Sequence, residues 1–168
     1  MDEILPLPRP NVMQRGVQWL FGTPVGRWGG ARLAHHFDKV VLRLSGGQQT
    51  LAGLLAGIPM VMLTTTGAKS GLARTTPLLA TPDGGRLIVI ATSWGRDKYP
   101  SWYYNLKAHP RVRVLANGRE FALVARELGG AERAAAWAKA VAIYAGYAGY
   151  ARQIGGKRHI PVFALEQE

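Results

Sequence analysis

The stretch TTTGAKSGLARTTPLL, Thr64 to Leu79, sets two glycines, a lysine, an arginine and several hydroxyls between apolar runs. Gly67 and Gly71 permit a tight path and close approach of the main chain to a ligand. Successive amides in such a turn form an anion-binding concavity. Lys69 adds a point charge, Ser70 a hydroxyl donor, and Arg74 a planar fork that grips a phosphate or carboxylate through two parallel bonds. Thr75 and Thr76 alternate in side-chain direction if the strand starts there, so one can face a ligand while the other packs. An ordinary hairpin loop with a solvated basic tip would use the same residues. The phosphate loop of NTPases is excluded, because it needs a longer glycine-rich approach and a helix after its lysine. Here an apolar strand containing Pro77 follows.

A second donor-rich stretch, Thr92 to Pro100 (TSWGRDKYP), combines small hydroxyls, an indole and Lys98. Trp94 can line a planar ring or cover the loop, and Lys98 can face an anion or solvent. Asn105 is placed to cap or orient the helix that follows. Tyr144, Tyr147 and Tyr150 recur every three residues, and on one helix they would share a broad face. Three phenols there suit an aromatic substrate pocket or a packed interface. The four histidines, His35, His36, His109 and His159, show no helical metal motif, and no metal site is expected. There is no cysteine, which removes disulfides, thiolate-held metals and a cysteine nucleophile.

These groups must be positioned by a chain of 168 residues carrying a formal net charge of +11. A field of that sign attracts anions, whether nucleic acid, a lipid surface or an acidic small molecule. Nucleic acid is disfavoured, since no ordered recognition motif is present. Strands are expected at 58–66, 75–81, 86–93, 111–116, 119–129 and 159–165, with turns at Pro82–Gly85 and Asn117-Gly118. A short helix is expected at 101–110, ended by Pro110. The alanine-rich run 130–145 should form the longest helix and continue towards Tyr150, although Gly146 and Gly149 weaken that continuation. Many short strands with few helices point to an α+β chain built on a small closed or nearly closed barrel over residues 58–168.

Residues 1–57 read as an N-terminal helical extension, with amphipathic helices at 12–21 and 31–44 suited to a membrane surface or a dimer partner. The acidic, proline-interrupted start is not a secretory signal, and no run of about 20 apolar residues exists. The expected location is the cytoplasm, with peripheral contact at the inner face of the membrane.

Taken together, several blocks resemble one family. They are LTTTGAKSG with RTTPL, ATSWGRDKYPSWYYNLKAHPRVRV at 91–114, the alanine-rich ER helix, YAGYAGY at 144–150 and the terminal IPVFAL. The resemblance is to the deazaflavin (F420)-dependent nitroreductases, also described as F420H2-dependent quinone reductases, of the split β-barrel superfamily. It implies an FMN-binding-like split β-barrel with surrounding helices and association as a homodimer. It also implies hydride transfer from reduced coenzyme F420 to a quinone-like or nitroaromatic acceptor. FMN is the alternative cofactor, and an F420- or heme-binding module without reductase activity the alternative role.

The resemblance further implies that Lys69, Ser70, Gly71 and Arg74 hold the phosphate and acidic tail. Met62, Leu63, Thr64, Ala68, Thr75, Thr76, Pro77 and Leu78 would contact the cofactor as it enters the groove. Val89, Ile90, Ala91, Thr92 and Ser93 would supply contacts near the ring, and Lys98 would add charge. Tyr144, Tyr147 and Tyr150 would line the acceptor pocket, with Tyr147 donating to the reduced oxygen. Ser93-Trp94 is a local departure from the resemblance, since a family member has glycine at the Trp94 position, and the indole would narrow that pocket. Leu79 stands where an aromatic can occur in relatives.

Overall fold

A computed structural model of the protein describes residues 59–168. The helices expected at 12–21 and 31–44, and the whole extension to 57, lie outside the described residues. The first four strands are β1 (Met60–Thr66), β2 (Ala73–Leu79), β3 (Thr81–Asp83) and β4 (Arg86–Ile90). A single tight turn at Ser93–Gly95 and helix α1 (Ser101–Ala108) follow. Strands β5 (Arg111–Ala116) and β6 (Arg119–Glu127) precede helices α2 (Gly130–Ile143) and α3 (Gly146–Ile154), and β7 (Val162–Glu166) closes the chain.

All seven strands form one antiparallel sheet in the order β2-β1-β5-β6-β7-β4-β3. Strands β2 and β3 lie at opposite edges, yet only Ala80 separates them in sequence. The sheet must therefore curl until its edges meet, which makes it a half-barrel rather than a flat layer. The Ala80 N–H donates to the Pro59 carbonyl and extends the β1–β2 ladder to this corner. Both edge strands carry a proline, Pro77 and Pro82, where a missing ladder donor is tolerated. The α+β split-barrel expectation holds.

The sheet is buried on both faces in its β4–β7 half, which explains the unbroken apolar runs there. Leu87, Val89, Phe163 and Leu165 point into the barrel with Val61, Leu63, Val112, Val114 and Leu123, and α1 plugs the end with Trp102 and Leu106. The alternate residues Ile88, Ile90, Val162 and Ala164 point outward and are covered by α2 and α3 through Ala136, Ala140, Tyr147, Tyr150 and Ile154. Leu63 and Phe163 are almost completely enclosed, and burying each such side chain contributes about 1.5–3 kcal/mol.

Several boundaries differ from expectation. The turn after β3 is only Gly84-Gly85, because Asp83 still pairs with Arg86 across the ladder. The strand expected to reach Ser93 stops at Ile90, where the chain folds into the Ser93–Gly95 turn. β6 ends at Glu127, and β7 starts at Val162 rather than His159. The helix expected to run on from 130 breaks: Tyr144 adopts extended backbone, φ −138° and ψ 97°, and a new helix begins at Gly146. The Tyr144 ring folds back over Gly146 so closely that a Cβ there would lie 2.2 Å from it. The three tyrosines therefore do not share one helix. At the other hairpin, Asn117 and Gly118 have φ of 50° and 75°, as a two-residue hairpin turn requires. Among the described residues no helix is long and apolar enough to cross a membrane.

Candidate active site

The β1–β2 loop turns at Gly67–Leu72. The Gly67 N–H bonds to the Leu72 carbonyl at 2.8 Å, and the Gly71 N–H to the Gly67 carbonyl at 2.8 Å. Gly67 is dictated by contact, since a Cβ there would meet the Ser70 Oγ at 2.6 Å. Gly71 has φ +67°, a region that disfavours other residues. The loop is anchored from below by Asn105 of α1. Its Oδ1 accepts from the Ala68 N–H at 2.9 Å, and its Nδ2 donates to Thr65 Oγ1 at 2.9 Å. The Thr65 hydroxyl in turn donates to the Arg74 carbonyl at 3.3 Å. One buried amide thus fixes both arms of the loop.

With the loop held this way, the main-chain N–H groups of Lys69 and Ser70 have no hydrogen-bond partner among the described residues. Ala68, Lys69, Ser70, Gly71, Arg74 and Thr75 are all exposed. Neither Lys69 nor Arg74 pairs with a carboxylate among the described residues. The described carboxylates are all engaged elsewhere. Asp83, Glu132 and Glu166 form a network with Arg86, Arg126 and Lys139 beside α2. Burial alone would raise the Asp83 carboxyl, but hydrogen bonds from Lys139 and Arg86 win and hold it below the usual range. Hydrogen bonds from Arg126 and Arg86 pull Glu132 down to about 2. The loop side therefore keeps its positive field unneutralised, which suits a multiply charged anion.

Register sorts the residues beyond the loop onto two faces. Met62 lies opposite Pro77, Thr64 opposite Thr75, and Met60 opposite Leu79, and opposed residues share a face. The Thr64 and Thr75 hydroxyls are 2.9 Å apart on that face. Met62, Thr64, Pro77 and Leu79 are half-buried. Leu79 and Tyr144 both pack onto the outer cluster, so this strip leads from the cationic loop towards the tyrosines. Leu63, Thr76 and Leu78 belong to the other face. Leu63, Val89 and Ala91 are enclosed in the barrel core, and Ile90 lies in the outer cluster. Their side chains are structural, leaving only main chain for a ligand.

The second stretch is built around an unusual turn. Ser93, Trp94 and Gly95 have φ of 51°, 59° and 77°, three consecutive left-handed residues of which two carry a Cβ. Each such non-glycine residue costs roughly 1–2 kcal/mol, and strain of this kind gathers at functional sites. The turn throws the indole of Trp94 outward, 64% exposed, with its ring centroid 6.2 Å from that of Tyr150 in an edge-on arrangement. The Thr92 carbonyl accepts the Gly95 N–H at 3.0 Å and Arg158 Nη2 at 2.7 Å. Arg158 lies over the Tyr99 ring at 4.7 Å, and Tyr99 stacks on Tyr103 of α1 at 4.5 Å. These contacts join the second stretch to the same helix that anchors the first loop. Lys98 is exposed and has no carboxylate partner among the described residues.

The three phenols converge although their helix is broken. The Tyr144 and Tyr150 hydroxyls are 3.2 Å apart, and the Tyr144 and Tyr147 rings stand edge to face at 5.4 Å. Tyr147 is 5% exposed, and its hydroxyl has no hydrogen bond among the described residues. Burial, with a smaller effect of Tyr144, pushes its phenol far above the ordinary value. Tyr147 is thus a neutral donor at any physiological pH, not a base. Sequence reasoning had Asn105 only as a helix residue and missed Arg158 altogether. Each acts across more than 35 positions of chain, so neither leaves a local signal.

A family model described as F420H(2)-dependent quinone reductase matches residues 36–167. The F420H(2)-dependent quinone reductase Rv1261c of Mycobacterium tuberculosis is 38% identical over 108 residues, 61% of this chain and 70% of that protein. A solved F420-H2 dependent reductase, FDR-A, is 43% identical with a TM-score of 0.59, over 64% of this chain and 94% of its own. A solved domain-swapped dimer is 34% identical with a TM-score of 0.61, over 86% of this chain and all of its own. The chain therefore belongs to the F420H(2)-dependent quinone reductase family, split β-barrel oxidoreductases that pass a hydride from a deazaflavin-type cofactor to a small-molecule acceptor.

Proposed function

We propose that this chain binds coenzyme F420 with its phosphate and acidic tail at the Lys69–Arg74 loop and its ring towards Ser93, and reduces a quinone-like acceptor beside the tyrosines. The observation that carries this reading is the loop itself. Two unbonded N–H groups, Lys69 and Arg74 face no carboxylate among the described residues. A phosphodiester followed by a carboxylate tail matches that donor set. FMN, with one phosphate and no acidic tail, would use less of it.

When bound in reduced form, F420 supplies a hydride; the protein supplies binding, orientation and electrostatics. Asn105 presents the loop amides, and Arg74 offers a two-pronged contact to the anion. The half-buried strip of Met62, Thr64 and Pro77 takes the flat part of the ligand against apolar surface. Reduction of a quinone to a hydroquinone consumes one hydride, from the reduced cofactor, and one proton, taken up from solvent as the product leaves. Tyr147 holds its proton at Oη and donates a hydrogen bond to the acceptor oxygen as negative charge develops there, which lowers the barrier without a covalent intermediate. Tyr144, Tyr150 and Trp94 wall the chamber and exclude water. We assign presentation of a membrane-held quinone to the N-terminal extension, and completion of the groove to a homodimer. Liposome flotation at low salt that shows no association would reject the first, and a monomeric mass in solution the second.

The test is anaerobic oxidation of F420H2, followed by its absorbance, with menaquinone and with a nitroaromatic. Turnover with menaquinone and weak turnover with the nitroaromatic, which Trp94 crowds, is expected. No oxidation with any quinone, despite F420 binding, would reject the reductase reading in favour of a binding module.

A further inference from the structure

Arg158 has its guanidinium committed to the protein's own main chain. Nε donates to the Arg96 carbonyl at 3.0 Å, Nη1 to the Ala91 and His159 carbonyls at 3.2 and 3.1 Å, and Nη2 to the Thr92 carbonyl at 2.7 Å. Of the five N–H groups a guanidinium carries, one is left over. Its face rests on Tyr99 at 4.7 Å, and no carboxylate among the described residues pairs with it. An arginine arranged like this cannot serve as an anion gripper; it is a staple.

What it staples is the most strained segment described. Ser93 and Trp94 sit in the left-handed region ahead of Gly95, and only the Gly95-to-Thr92 and Arg96-to-Ser93 hydrogen bonds close the turn locally. A backbone in that state persists only when its surroundings over-determine it. The Arg158 bonds clamp the residues before the turn, Ala91 and Thr92, and the residue after it, Arg96, so that the turn between them has fixed ends.

We infer that Arg158 is a positioning residue of the reaction: it holds the Ser93–Trp94–Gly95 turn left-handed, and thereby sets where the Ser93 hydroxyl and the Trp94 indole meet the bound ring and acceptor. The catalytic consequence rests on the reading that this turn borders the cofactor ring; the clamping itself does not. Geometry, not charge, is the requirement. A lysine at 158 keeps the charge, but a single ammonium cannot span carbonyls on Ala91, Thr92 and Arg96 together.

The experiment compares hydrogen exchange and F420 binding in the full-length protein and in Arg158→Lys and Arg158→Met. Without cofactor, both variants should exchange the Gly95 and Arg96 amides about 10-fold faster or more, the effect of losing a charge-assisted hydrogen bond. The β4 and β7 amides should keep wild-type protection. In both, the F420 dissociation constant should rise about 10-fold, and kcat with quinone should fall while the acceptor KM changes less. Wild-type exchange and binding in Arg158→Lys would overturn the inference, because charge alone would then suffice. Unchanged exchange in Arg158→Met would overturn it as well. Should β4 and β7 lose protection in Arg158→Met, Tyr99→Leu, which removes the surface under the guanidinium, takes its place with the same expected direction and the same refutation. A wild-type protein that binds no F420 would sink the proposed function, while the exchange comparison would still decide whether Arg158 holds the turn.

Discussion

Replacing Asn105 by alanine tests how the anion loop is held. The side chain is 7% exposed and makes two hydrogen bonds of 2.9 Å, to the Ala68 N–H and to Thr65 Oγ1. Each is worth about 1 kcal/mol net, and the buried Thr65 hydroxyl left without its donor adds to the cost, so Asn105→Ala should destabilise by about 2–3 kcal/mol. For a chain of this length that lowers Tm by roughly 4–12 °C. Scanning calorimetry without cofactor measures it directly. The same change frees the Ala68 end of the loop and, through Thr65, the Arg74 carbonyl, so the F420 dissociation constant should rise as well. Asn105→Asp separates the two effects. It keeps an acceptor for Ala68 but sets a carboxylate behind a site that needs positive potential, and should weaken F420 binding more than Asn105→Ala does. A Tm within about 1 °C of wild type for Asn105→Ala would show that the tether carries no energy. A lowered Tm with unchanged F420 affinity would show that it supports the fold and not the site.

Four further outcomes follow from the same geometry. In urea unfolding, Trp94→Gly should be more stable than Trp94→Ala by about 1 kcal/mol, because the site is left-handed; ordinary backbone would give the opposite order. Arg74→Ala should raise the F420 dissociation constant by the equivalent of about 1.5–3 kcal/mol, the value of one charged hydrogen bond, measured by fluorescence titration. Tyr147→Phe should leave F420 affinity unchanged but slow acceptor reduction about 100- to 1,000-fold, the range for losing a donor to developing negative charge; single-turnover oxidation reads it. Glu132 has its pKa depressed from 4.5 to about 2 by hydrogen bonds from Arg126 and Arg86. Its stabilisation is therefore present above about 4.5 and is lost as pH falls towards 2, so the stability gap between wild type and Glu132→Gln should close across that window in pH-dependent unfolding.

Legibility in the sequence followed the range of the interactions. The Asn117-Gly118 hairpin, the alternation of β5 and the alanine-rich start of α2 depend on neighbours in sequence, and each formed where expected. Barrel closure was legible only as a count of short strands; its cause, β2 and β3 joined by one residue across the whole sheet, is a property of pairing. The break at Tyr144 was legible only as the low helix propensity of Gly146 and Gly149; the packing of the Tyr144 ring on Gly146 that fixes its position is a folded contact. The left-handed Ser93-Trp94 pair was invisible: neither residue prefers that backbone, and Arg158, more than 60 positions later, holds the ends of the turn. At the site, the types of Lys69, Ser70 and Arg74 announced an anion. The sequence did not say that Asn105 orients their loop, nor that Val89 and Ala91 are spent on the core.

Titration of the purified protein with oxidised F420 and, separately, with FMN tests the central claim most directly. The account predicts saturable F420 binding that weakens as salt is raised and is reduced in Arg74→Ala, with FMN binding much more weakly. Tight FMN binding with no F420 binding would contradict it.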